Sequence, residues 1–257
     1  KLREGGIKLL VYGQTRTGKT RLACTFPKPM LLIGTEDGTQ SVAKVKGVDF
    51  VLLRSSGELE ELADLLTTGK YQSAALDTTG GLQDMILKEV LGLDAVPVQK
   101  SWGITDRQTW GTVGMQFKER MRQLLDLADR QGLNVVCIAH ERSFGEDGTG
   151  DLIAPTVGAA LTPSAAGWLN AACDYICQAY KRSGVVAKKT KVGEGKNAKE
   201  VITQTRTGKI EYALRIGPHT TYITGFRDSE LNRTLPDSIV DPTYEKILVL
   251  IRGETIH

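Results

Sequence analysis

The sequence predicts an α/β protein: a mostly parallel sheet flanked by helices and extended by antiparallel strands toward the C-terminal end. Three observations predict it. Short apolar runs at residues 7–12, 30–34, 50–53, 73–77 and 133–139 alternate with helix-like stretches. Continuous apolar strands of this kind are buried on both faces of a parallel sheet. The first run leads directly into a G-x-x-x-x-G-K-[ST] loop followed by a helical start, the strand–loop–helix setting that a phosphate-binding loop needs. From about residue 174 the helices drop out, and residues 175–180, 210–216 and 221–224 read as successive strands, closed by a helix over Tyr244–Ile251. No low-complexity linker divides the 257 residues. One domain over 1–257 is therefore expected, with a core to about residue 180 and an extension over about 181–257.

Each part of the loop has a chemical job. Gly13 and Gly18 let backbone N–H groups curl around phosphate oxygens with no Cβ in the way. Gln14, Thr15, Arg16 and Thr17 supply the amides between them, and Arg21 follows on the helix. Lys19 reaches the β- and γ-phosphates, and Thr20 offers its hydroxyl to Mg²⁺. ATP and Mg²⁺ are thus the expected ligands. The run at 30–34 ends in Thr35-Glu36-Asp37-Gly38. After the run at 50–53, Ser55-Ser56 is expected to cap a helix pattern of Leu59, Leu62, Leu65 and Leu66 that stops at Gly69. The run at 73–77 ends on Asp77, and a helix follows it to Leu91. A long link from Gly92 to about Gly111 carries Lys100, Trp102, Arg107 and Trp110. Met115, Met121, Leu124, Leu125 and Ala128 mark a long amphipathic helix. The run at 133–139 ends in His140-Glu141-Arg142.

Composition removes several function classes. With 40% hydrophobic and 25% charged residues, the chain reads as an ordinary globular protein with no membrane partner, and a cytoplasmic location is expected. A net charge of +3 is no polycation, so affinity for nucleic acid must rest on local clustering. Cys24, Cys137, Cys173 and Cys177 show no C-x-x-C pair and read as buried reduced thiols. The hexapeptide QTRTGK recurs at residues 204–209. There it lacks the preceding glycine and the following hydroxyl, and it reads as a Thr-Gly hairpin turn rather than a second nucleotide site.

Asp77 stands where a Walker B carboxylate holds Mg²⁺ through water. Thr78 follows it, so the group that positions the attacking water has to come from elsewhere. Glu36, at the same edge of the sheet, is the first choice; Asp37 and Glu141 are alternatives. With these motifs in place the chain resembles the RecA-like P-loop NTPases, and within them the phage-encoded branch of recombination and single-strand-annealing ATPases. The resemblance implies a RecA-like core with Glu36 as catalytic glutamate. His140 would be a polar sensor on the strand between those of the phosphate loop and Asp77. It also implies a ring or filament with ATP at subunit interfaces, where Arg227 would reach a neighbour's γ-phosphate.

Between residues 181 and 199 lie Lys188, Lys189, Lys191 and Lys196 among other basic residues, with Glu194 the one acid. Such a stretch reads either as a mobile loop that neutralises DNA phosphates or as a solvated hairpin tip. Trp102 and Arg107 offer stacking and charge to bases, or anchor a loop. Single-stranded DNA is accordingly an expected partner, with a single-strand-binding protein as a further one. The expected function is an ATPase acting on single-stranded DNA in phage recombination, annealing or replication. A hexameric helicase-type motor and a nucleotide switch or kinase without a DNA role remain alternatives.

Overall fold

The structure, a computed structural model, describes residues 5–38, 42, 44–93, 107–145, 156–192, 199–227 and 235–254, and for 107, 185–192 and 199–206 the backbone alone. Six strands build the parallel part: β1 (Lys8–Gly13), β2 (Met30–Gly34), β3 (Val48–Leu52), β4 (Ser73–Asp77), β5 (Asn134–Phe144) and β7 (Tyr175–Val192). Four more pair antiparallel: β6 (Thr156–Ala159) on β5, β8 (Lys199–Arg215) and β9 (Gly225–Phe226) on β7, and β10 (Ser238–Val240) on β8. Among the described residues the sheet runs β10-β8-β7-β1-β5-β4-β2-β3. The strand that carries the phosphate loop lies near its middle.

Strand alternation explains why the central runs are apolar throughout. Leu10, Tyr12, Ile33, Leu76, Val135 and Cys137 turn to one face, where they meet α2 (Glu58–Thr67), α3 (Thr79–Leu91), α4 (Arg107–Gln131) and α5 (Pro163–Ala172). Leu9, Val11, Leu32, Ala75, Val136 and Ile138 turn to the other, under α1 (Lys19–Ala23) and α6 (Tyr244–Ile251). With period two, a strand buried on both faces has no place for a polar residue. The expected α/β class with a helix-flanked, mostly parallel sheet is what forms.

Several local expectations change. Met115 is 67% exposed, because it is six residues from Met121 and so points to the other side of the helix. The inward stripe of α4 is Val113, Phe117, Met121, Leu124 and Ala128. Ser55-Ser56 does not cap α2, whose N-cap is Gly57; Ser56 instead donates from its hydroxyl and its amide to Glu89 of α3. The link after Gly92 ends at Arg107, where α4 begins, and Trp110 packs against the larger core rather than standing free for a base. Trp102 and Lys196 lie outside the described residues.

The late segment differs most. Strand β7 is parallel to β1 and joins the core sheet, and the antiparallel extension through β8, β9 and β10 begins only after it. Lys188, Lys189 and Lys191 stand in β7, not in a loop. Of residues 221–224, only Tyr222 makes a bridge, to Val157. The second QTRTGK lies inside β8, where pairing jumps from Ser183–Ile210 to Val185–Arg206. It is a β-bulge, with Gly208 at φ 71 and the Thr207 hydroxyl donating to the Gly184 carbonyl at 3.0 Å. Thr-Gly supplies the bend here too, but within a strand rather than at its end.

Candidate active site

Register brings the site together at one edge of the sheet. Gly13 pairs with His140 on one side and Ala179 on the other, while Asp77 pairs with Gly34, two residues before Glu36. The carboxyl ends of parallel strands, where loops diverge, are where α/β proteins bind ligands. Gly13 is required by crowding: a Cβ there would lie 2.1 Å from the Ala179 carbonyl oxygen. Gly18 caps α1 in the left-handed region at φ 88, which only glycine enters without strain.

The loop, Glu36, Asp37, Asp77, Thr78 and His140 line one cleft of about 490 Å³, a volume ordinary for a small-molecule site. Thr15, Arg16, Thr17, Gly18, Lys19, Thr20 and Arg21 form its floor, and Gln14 faces a neighbouring cleft instead. Lys19 is buried, and its amine donates to the carbonyls of Gly13 at 2.8 Å and Gln14 at 2.7 Å. Burial lowers its pKa from the usual lysine value, against the opposing pull of Asp77 and Glu141. The Thr20 hydroxyl donates to Asp77 Oδ2 at 2.6 Å. Burial raises the Asp77 pKa; the Thr20 hydrogen bond and the Lys19 and His140 charges pull it down without overcoming that.

This pair fits Mg²⁺. A hydroxyl and an under-compensated buried carboxylate converge on one point, and no cluster of three His, Cys, Asp or Glu residues exists among the described residues to hold the ion alone. Magnesium is held in this way by one or two protein oxygens plus phosphate and water.

Thr35 was not singled out by its sequence and has a positioning role. Its amide donates to the Asp77 carbonyl at 2.9 Å, and its hydroxyl accepts from the Thr78 amide at 3.0 Å. These bonds tie the ends of β2 and β4, and with them Glu36 to Asp77. Tyr212 was also missed. It comes from β8, lines the cleft and lies 3.3 Å from where a Gly18 Cβ would be. No local pattern could have found it, because β8 reaches the loop only through the sheet.

Other expected residues go elsewhere. Glu141 accepts from Gln178 Nε2 at 3.0 Å and lines the neighbouring cleft, so of the three acids weighed for positioning water only Glu36 and Asp37 line the larger cleft, beside Asp77. Arg227 is held within its own chain: it pairs with Asp174 at 2.9 Å and donates to the Ala171 carbonyl at 2.7 Å. Asp174 adjoins Lys8, at the opposite end of β1 from the phosphate loop. All four cysteines are buried and unbridged. No helix among the described residues is long and apolar enough to cross a membrane.

Fold and loop together define a P-loop nucleoside-triphosphate-binding protein. A family model described as an AAA domain matches residues 5–210, that is 206 of the 257 residues. The chain belongs to this family of AAA-type P-loop ATPases. No curated protein matches it.

Proposed function

We propose that the chain hydrolyses ATP by in-line attack of water on the γ-phosphate and uses the cycle to act on single-stranded DNA. The observation that supports hydrolysis is the convergence of Lys19, Thr20, Asp77, Glu36 and His140 on one cleft. Thr20 and Asp77 would hold Mg²⁺, which when bound neutralises charge on the β- and γ-phosphate oxygens. Glu36, two residues past the end of β2 and exposed to the cleft, orients the water and takes up its proton. Lys19 turns its amine from the loop carbonyls to the transferring phosphoryl group, where charge develops. His140, in the row of Gly13, registers whether that group is present.

Support for DNA is the basic ribbon of β7 and β8, which rises from the nucleotide cleft beside Tyr212. The RecA-like resemblance adds assembly as a ring or filament and service in phage recombination, annealing or replication. Steady-state ATPase measurements with and without single-stranded DNA, across a salt series, test this reading. Glu36→Gln should cut turnover by about 10²–10⁴-fold and keep ATP binding. Full turnover in Glu36→Gln removes the base assignment, and absence of both DNA binding and stimulation at low salt removes the DNA reading.

A further inference from the structure

A second cleft, of about 270 Å³, lies back to back with the nucleotide cleft. Thr15 and Thr17 line both. Its own wall is different in kind. Tyr180 and Tyr222 face it, and the Arg215 guanidinium lies 5.0 Å from the first ring centre and 4.1 Å from the second. Gln178, only 3% exposed, lies in this cleft; its Nε2 donates to Glu141 while its Oε1 has no hydrogen-bond partner among the described residues. A buried carbonyl oxygen left unpaired is unfavourable unless some ligand donates to it. At the rim stands Lys181, whose amine is 5.9 Å from the Tyr212 ring of the nucleotide cleft.

We infer that this second cleft is a base-reading subsite for one nucleotide of a single-stranded nucleic acid. The inference rests on the DNA reading above and places it on the molecule. Arg215 covers one face of each tyrosine ring, and the faces it leaves can stack a base of any kind. Lys181, beside an Arg182 that pairs with Glu211, can follow the phosphates that flank the inserted base. The polar end is selective. Gln178 Oε1 and the Glu141 carboxylate are both acceptors, so they favour a base edge that carries an exocyclic amine. Thymine offers only its N3–H there, between two carbonyl oxygens, whereas an exocyclic amine brings two N–H bonds to the two acceptors. The volume suits one base rather than a duplex.

Fluorescence anisotropy with labelled dC20, dT20 and an abasic 20-mer tests the site on the full chain. Wild type should bind dC20 more tightly than dT20, and both more tightly than the abasic strand. Tyr222→Leu should weaken dC20 binding by about five- to a hundredfold, with the salt slope and the DNA-free ATPase rate kept. Tyr222→Phe, which keeps the ring, should bind as wild type does. A 5-iodocytosine placed in the strand should photo-cross-link to Tyr180 or Tyr222. Equal binding of abasic strand and dC20, or cross-links confined to other segments, overturns the subsite while leaving DNA binding in place. No binding of any strand at low salt overturns the DNA reading itself, and the subsite with it.

Discussion

At the scale of single residues, the nucleotide cleft concentrates charge that folding alone does not reward. Asp77 has its pKa raised by burial and Lys19 has its lowered by burial. For Asp77 the sign is definite: a carboxyl whose folded pKa lies above its unfolded one stabilises the fold when protonated. That contribution is full below the ordinary aspartate range and is lost as pH rises through the raised value. Asp77→Asn should therefore raise the melting temperature of the nucleotide-free protein at pH 7, and the gain should shrink as pH falls through that window. Thermal melts of both proteins between pH 3 and 8 check it, and a gain that grows on acidification would contradict it. Arg227 gives a second prediction at this scale. Because it pairs with a nearly buried Asp174 but is itself 58% exposed, Arg227→Ala should lower stability by about 1 kcal/mol. ATPase rate per folded molecule should stay the same. A large fall in rate at unchanged stability would instead support a role on a neighbour's phosphate.

At the scale of elements, turns and caps decide where the chemistry stands. Thr243 caps α6 by accepting from the Lys246 amide, and the Tyr244 ring packs 4.9 Å from Phe26, just after α1. Thr243→Ala should cost about 1 kcal/mol in urea unfolding and leave ATP affinity unchanged, because α6 supports the helix after the loop without touching the cleft. Gly13→Ala should act differently. Its Cβ meets backbone at 2.1 Å, and a backbone carbonyl fixed in a strand pair cannot step aside. Loss of ATP binding by calorimetry is expected together with a lowered melting temperature. These elements were legible in the sequence to different degrees. The phosphate loop and α6 were readable because their signals lie within one short stretch of sequence. The bulge at Gly208 was read as a turn, since Thr-Gly marks a left-handed residue without saying whether the strand resumes after it.

At the scale of the whole molecule, the ribbon of β7 and β8 is the main departure from a simple nucleotide-binding core. Among the described residues, β7 pairs with β1 only as far as Ala179, while its pairing with β8 continues to Val192. At about 3.3 Å per residue, that is roughly 40 Å of two-stranded chain. A two-stranded ribbon on its own is marginally stable and is not expected to hold the core sheet together. Replacing residues 184–209 with Asn-Gly, across the Ser183–Ile210 pair, should leave the melting temperature and the basal ATPase nearly unchanged. Binding to single-stranded DNA should weaken and lose much of its salt dependence. Electrophoretic or anisotropy titrations at several salt concentrations measure both. Because Thr15 and Thr17 separate two clefts, ATP and DNA affinities should also change by one common factor in each other's presence.

The sequence by itself determined the class of fold and half of the nucleotide site. Period-two burial on both faces leaves a strand no choice but continuous apolar residues, and phosphate chemistry demands glycines, a lysine and a hydroxyl at set spacing, so both are written locally. Tertiary structure decided the rest. Thr35 binding the end of β4, Tyr212 reaching Gly18 from β8, and Glu141 bonded by Gln178 at the second cleft are contacts between segments far apart in the chain. They follow from sheet order and register, which no single stretch of residues encodes.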